Sequence, residues 1–293
     1  MTVPRMRIAH VPTQVVRQPR AVAIGTFDGV HRGHRGVIQA AIDTGLAPTV
    51  LTFDPHPRSA LGNRVELIST LERRLELLGE AGVETTLIAP FTQDFMLLSP
   101  ERFAEQYLRG IGAEVVIAGE DFRFGHRRSG DLSLLESLGF EVLVAPQLPN
   151  ASSSAIRRAL KLGDIALAAS MLGRPPELDG VVVGGDQRGG TLGFPTANIQ
   201  PLPELVVPQY GIYAGQWGAF RAAVSIGTNP HYGGTEQRIE AFLLDFSGDL
   251  YGKRLVVELW EYLRGEQTFD SEQSLIDQIA ADVAATRAAV RPR

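Results

Sequence analysis

Gly25-Thr26-Phe27-Asp28-Gly29-Val30-His31-Arg32-Gly33-His34 decides how the N-terminal half of this chain is read. The apolar run Ala21–Ile24 precedes it, and Val37, Ile38, Ala41 and Ile42 follow at helical spacing. The string is therefore a strand end, a glycine-rich turn and a helix start. The same alternation repeats outward from it. Thr49–Phe53 is predicted as a strand, broken by Asp54-Pro55-His56-Pro57, and Ser69-Thr70-Leu71-Glu72 has capping-box spacing before a helix through Leu71, Leu75 and Leu78. Glu84–Ala89, Val115–Ala118 and Glu141–Ala145 are further strands, with helices through Phe103 and Tyr107, over Asp131–Leu138, and over roughly 155–161 and 164–172. Such alternation predicts an α/β, Rossmann-like doubly wound parallel sheet, whose ligands sit beyond the carboxyl ends of the strands.

Around Pro175-Pro176 the texture changes. Val181–Val183, Ile212–Trp217, Ala222–Ile226, Ile239–Phe246 and Leu255–Tyr262 follow with turns, not helices, between them. This predicts an antiparallel barrel or sandwich closed by an amphipathic helix from about Ser271 to Arg287, with Leu275, Ile276, Ile279 and Val283 as its buried stripe. Two domains are expected, 1–175 and 176–293. Each half is long enough to bury its own core.

Composition removes several function classes. Hydrophobic residues make up 44% and charged residues 21% of the 293 positions, which describes a packed globular chain. Without cysteine there are no disulfides, thiolate metal sites or cysteine nucleophiles. The first 175 residues are nearly neutral at net +1 and the rest net −6, so duplex nucleic acid is not an expected partner. No run approaches a bilayer span or a signal-peptide core, and a soluble cytoplasmic protein is expected. The lysines, Lys161 and Lys253, complete no P-loop, so any nucleotide must be held another way.

Three segments can do so. His31 and His34 lie three apart where a helix begins, and free N–H groups and the helix dipole already favour anions there. Two imidazole donors at that point can hold a triphosphate and stabilise charge growing on an α-phosphate. The bland alternatives are histidines that cap or pack, and a zinc site lacking an obvious third ligand. In the second half, Gly184–Gly190 offers backbone N–H groups for phosphate. Thr196 and Asn198 alternate along an extended segment, so their oxygens share a face, as hard Mg²⁺ ligands would. Ser152-Ser153-Ser154-Ala155-Ile156-Arg157 is a third anion cradle, with hydroxyls at a helix start and an arginine one turn in.

The ten-residue string resembles the nucleotidylyltransferase signature. With Thr52–Pro57, Gly119–Gly125 and the Ser-Ser-Ser-Ala-Ile-Arg run, in which Ser154 replaces the usual threonine, it resembles the bacterial FMN adenylyltransferase module. Leu192-Gly193-Phe194-Pro195-Thr196-Ala197-Asn198-Ile199 resembles the defining motif of riboflavin kinases, and Gly227-Thr228-Asn229-Pro230, the Glu240 strand, Asp249–Gly252 and Leu263–Phe269 follow in that family's order. The resemblance covers about residues 21–287. It implies a bifunctional flavin enzyme that phosphorylates riboflavin to FMN and joins FMN to AMP from ATP, giving FAD and pyrophosphate.

Carried onto this chain, it implies His31 and His34 as catalytic and Gly25, Phe27, Asp28, Gly33, Ser153, Ser154 and Arg157 as ATP-binding. His56, Asp121, Phe122 and Phe124 would meet FMN. In the kinase, Glu240 would be the general base; Gly185, Gly189, Gly193, Pro195, Thr196 and Asn198 would hold ATP phosphates, the last two also Mg²⁺; Arg264 and Glu266 would meet the flavin. By themselves Phe122 and Phe124 read first as core or loop anchors whose faces could also flank a flat flavin ring, and His56 reads equally as part of a rigid turn. A single-activity relative, an adenylyltransferase with another acceptor, and a non-catalytic flavin sensor remain as rivals. Oligomeric state is left open.

Overall fold

A computed structural model describes residues 6–145, 148, 151–184, 194–228 and 237–292. Gly185, Gly189, Gly193 and the Asn229-Pro230 pair lie outside the described residues. The chain forms two compact units, residues 1–65 with 71–152, and 66–70 with 153–293.

The first unit holds β1 (Arg7–Ala9), β2 (Arg20–Ile24), α1 (Arg32–Asp43), β3 (Ala47–Asp54), α2 (Pro57–Ala60), α3 (Leu71–Glu80), β4 (Thr85–Pro90), α4 (Gln93–Met96), α5 (Pro100–Phe103), β5 (Ala113–Gly119), α6 (Leu132–Ser137) and β6 (Glu141–Ala145). The six strands form one parallel sheet in the order β1-β4-β3-β2-β5-β6. β2 is buried along its whole length. Ala21 and Ala23 face one core with Ile38 of α1 and Leu77 and Leu78 of α3, while Val22 and Ile24 face another with Phe103, Leu108 and Phe124. Burial on both faces explains why this strand reads as a continuous apolar run.

From β2 the chain winds to β3 and β4 on one side, then crosses to β5 and β6 on the other. The loop after β2 thus emerges where the winding reverses, the place at which open parallel sheets form a crevice.

Some elements depart from expectation. The edge strand β1 was not legible, being three residues long. The helix expected through Phe103 and Tyr107 is α5 followed by a widened turn over Ala104–Leu108 and a tight turn over Arg109–Ile111, closed by Gly112 at φ 86°. A side chain at Gly112 would run into the Gln18 backbone, so this close approach requires glycine.

The second unit contains α7 (Ser153–Lys161), α8 (Ile165–Leu172), β7 (Glu177–Val183), β8 (Thr196–Pro201), β9 (Gly211–Trp217), β10 (Phe220–Thr228), β11 (Gln237–Leu243), β12 (Arg254–Arg264) and α9 (Glu272–Ala288). The strands close into an antiparallel barrel in the order β10-β11-β8-β7-β12-β9. Closure leaves no edge to pair with another chain. Ile156, Leu160, Ile165, Met171 and Leu172 of α7 and α8 share one core with Val224, Ile239, Val257 and Leu259 of the barrel. Residues 66–70 pair here too: Leu67 donates to Glu204 O at 2.6 Å and accepts from Val206 at 2.7 Å. Thr70 Oγ1 donates to Asp179, which also holds Arg254.

α9 corrects one expectation. Its Ser271 cap, reciprocated by Ser274, is where the sequence put the helix start. Leu275, Ile276, Ile279 and Val283 are only half-buried, however, and Asp282 and Thr286 are the helix's buried residues before its last turn gives way to Ala289. Leu275, Ile279 and Val283 line a cavity instead of packing shut.

Candidate active sites

In the first unit, His31 caps α1: its Nδ1 accepts from the His34 N–H at 3.4 Å. A ring nitrogen that accepts has no proton, so neutral His31 carries its proton on Nε2. The His31 and His34 rings stack at 3.7 Å and 19°. Desolvation by burial, then the neighbouring His31 and Arg74, holds the His34 pKa well below the usual 6.5. His34 is therefore neutral at physiological pH, and its Nδ1 has no hydrogen-bond partner among the described residues. The capping and functional readings of this pair are compatible, since capping occupies one nitrogen of one ring.

The glycines have identifiable work. A Cβ on Gly33 would sit 3.1 Å from His31 Cε1 and 3.2 Å from Nδ1; one on Gly25 would sit 3.3 Å from the Phe27 ring. Phe27 is buried in left-handed backbone at φ 50°, with its ring 5.1 Å from His34. Asp28 is fully buried. Beneath the loop lies Arg74 of α3, 1% exposed, its Nη1 donating to Phe53 O at 3.4 Å. Burial lowers the Arg74 pKa, and the negative charges of Asp28 and Asp54 oppose that shift. Sequence reasoning missed Arg74. The available signal was a charged residue at an apolar position of the Leu71, Leu75, Leu78 stripe.

His56 is buried and caps α2, accepting from the Arg58 N–H at 3.2 Å. Phe124 belongs to the core beside Phe103, Phe122 stacks on it at 5.5 Å and 14°, and Asp121 is exposed. Ser153, Ser154 and Arg157 lie on α7, in the second unit, where Arg157 Nε donates to the Glu66 carbonyl.

In the barrel, Glu240 stands directly opposite Asn198, and Phe242 opposite Thr196. Residues directly across a ladder project to the same face. Glu240, Asn198 and Thr196 thus share one side of the sheet, while Ile239, Ala241 and Leu243 fill the core on the other. Arg238, also on this face, meets Glu240 at 3.2 Å. A cavity of about 420 Å³ is lined by Pro195, Thr196, Asn198, Asp249 and Tyr251. A second, of about 360 Å³, is lined by Thr196, Glu240, Phe242, Arg264, Glu266 and the inner face of α9. Thr196 borders both. Two cavities thus meet at the row holding a carboxylate, an amide and a hydroxyl, and each mixes apolar walls with polar groups. That donor set is hard oxygen, fitted to Mg²⁺ rather than to a softer metal. Among the described residues no group of three or more His, Asp or Glu side chains forms a metal site.

A family model described as FAD synthetase matches residues 13–157, and one described as riboflavin kinase matches residues 172–290. The bifunctional riboflavin kinase/FMN adenylyltransferase of Listeria monocytogenes is 36% identical over 92% of each chain. The chain belongs to this family. The Bacillus subtilis and Escherichia coli enzymes of the same description are 34% and 36% identical, covering 94% of this chain and 96% and 95% of theirs. A solved Streptococcus pneumoniae structure, described as a macrolide-efflux protein, superposes at a TM-score of 0.85 with 30% identity, over 97% of this chain and 99% of that one. Among the described residues, no helix is long and apolar enough to cross a membrane. As a bifunctional riboflavin kinase/FMN adenylyltransferase, the enzyme uses ATP twice, to phosphorylate riboflavin and to adenylylate FMN.

Proposed function

We propose that the two reactions are divided between the two sites just described, with the catalytic division near residue 175 and residues 176–293 carrying the kinase. In the barrel, Glu240 accepts the proton of the riboflavin 5′-hydroxyl as that oxygen attacks the γ-phosphorus of ATP. Thr196 and Asn198 hold Mg²⁺, which when bound offsets phosphate charge. Pro195 borders the phosphates, a role the resemblance also gives Gly185, Gly189 and Gly193, and Arg264 and Glu266 border the flavin. The observation that carries this reading is the ladder register putting Glu240 opposite Asn198, with Thr196 at the junction of the two cavities.

At the loop after β2, an FMN phosphate oxygen attacks the α-phosphorus of ATP and pyrophosphate leaves. His31 donates from Nε2. His34, kept neutral, acts through a hydrogen bond and not through charge. Gly25, Phe27, Asp28 and Gly33 shape the cradle; His56, Asp121, Phe122 and Phe124 belong to the FMN side, and the resemblance assigns Ser153, Ser154 and Arg157 to ATP in the same reaction. A cytoplasmic setting is part of this reading.

The test uses the full chain with riboflavin, ATP and Mg²⁺, resolving FMN and FAD by chromatography. His31→Ala should lower FAD formation on the order of 10²-fold while FMN still accumulates. Glu240→Gln should lower riboflavin phosphorylation about 10²–10⁴-fold while supplied FMN is still adenylylated. Equal loss of both activities in either folded variant would overturn the division.

A further inference from the structure

Arg264 is less available than its sequence context suggests. Its Nε lies 2.9 and 3.2 Å from the two carboxylate oxygens of Asp282, its Nη2 lies 2.7 Å from Oδ2, and its Nη1 donates to the Gly265 carbonyl at 2.9 Å. Asp282 is only 7% exposed and is held in turn by Gln278 Nε2 at 3.0 Å. A two-pronged carboxylate–guanidinium contact fixes direction as well as distance, because both groups are planar. The ladder between β12 and β9 slips between Tyr262 and Arg264, leaving Arg264 opposite Ile212. An extra residue of this kind turns a strand end and re-aims its side chains.

Arg264 is also the first residue of the segment that forms one wall of the 360 Å³ cavity. The Phe269 ring lies 6.0 Å from its guanidinium. The Glu266 carboxylate lies over Gly227, in space that any side chain at 227 would fill. On the opposite wall, α9 presents Leu275, Ile279 and Val283 half-buried. Those apolar contacts are incomplete while the slot stands open, so they do not by themselves fix the helix. The Asp282–Arg264 pair is a directional link between the two walls, while Arg287 ties the last turn of α9 to Asp245, outside the residues that line the slot.

We propose that Asp282 is a positioning residue for the flavin: through Arg264 it sets the separation of the two walls, and so the width of the slot that takes a flat heteroaromatic ring. This rests on reading the cavity as the flavin side of the kinase site. Asp282 touches no reacting atom; its effect belongs to flavin binding rather than to phosphoryl transfer.

The experiment compares Asp282→Ala, Asp282→Asn and Leu275→Arg in the full chain, all checked for folding by thermal melting. Riboflavin KM, ATP KM and kcat of the kinase are measured together with adenylylation of supplied FMN. Asp282→Ala should raise the riboflavin KM about tenfold or more, with ATP KM and FMN adenylylation within twofold of the parent. Asp282→Asn keeps the size and one acceptor for Arg264, and should fall between; it serves alone if the alanine variant does not fold. Leu275→Arg fills the slot and should abolish riboflavin binding. An unchanged riboflavin KM in folded Asp282 variants overturns the positioning role, as does an equal rise in both KM values, which a general loosening would give. If Leu275→Arg still binds riboflavin normally, the cavity is not the flavin site and the proposal falls with that reading.

Discussion

A fragment of residues 175–293 should not fold stably, whereas one of residues 153–293 should. The shorter fragment keeps every barrel strand but loses Ile156, Leu160, Ile165, Met171 and Leu172, all buried in the barrel's own core. Full burial of a large apolar side chain is worth about 1.5–3 kcal/mol, so these five together supply roughly 10 kcal/mol as an upper estimate. That equals the whole stability of an ordinary domain, about 5–15 kcal/mol. The longer fragment loses the 66–70 strap, with its backbone pairs to Glu204 and Val206, the Thr70–Asp179 bond, the Arg157–Glu66 carbonyl bond, the exposed Lys161–Glu66 pair and the packing of half-buried Ile68. At about 1 kcal/mol per hydrogen bond, with small additions for the exposed pair and Ile68, that cost is roughly 5 kcal/mol, about half of what the two helices supply. Thermal melting by circular dichroism, with FMN formation from riboflavin as the functional readout, distinguishes the two. The longer fragment should melt cooperatively and make FMN but no FAD. If residues 175–293 melt cooperatively within a few degrees of the longer fragment, α7 and α8 contribute little and the packing argument is wrong.

Other outcomes follow from single side chains. His34 has a depressed pKa in the folded chain, so the unfolded chain takes up its proton first; the stability this confers is full above about pH 6.5 and is lost as pH falls through that value. His34→Gln should flatten the melting temperature between pH 8 and 5.5, and an unchanged slope would refute the assignment. Gly33→Ala crowds the His31 ring at about 3.1 Å and should depress FAD formation with kinase activity intact; full adenylylation in that variant would show that the ring position is unimportant. Arg74→Met keeps the bulk but leaves the charges of Asp28 and Asp54 without their buried counterpart, and should destabilise the first unit by about 3 kcal/mol in denaturant titration. A change below about 1 kcal/mol would mean that water screens those carboxylates.

What the sequence determined by itself was local. Ala21–Ile24 running into a glycine-rich turn is a strand meeting a helix start, and Thr196-Ala197-Asn198 is an extended segment with two oxygens on one side. Period, turn chemistry and caps are set by neighbours along the chain, so a reader of the chain alone can find them. Residues far apart in sequence were decided only in three dimensions. Asn198 meets Glu240 because of a ladder register that no local signal encodes. α7 and α8 read as a continuation of the alternating half, yet their apolar faces are buried in the barrel unit, since a helix shows which face is apolar and not what will cover it. Arg74 and Asp282 carry the same lesson. Each is a charged residue at an apolar position of an amphipathic helix, visible in the sequence as an exception, and only the folded chain supplies the opposite charge that makes its burial tolerable.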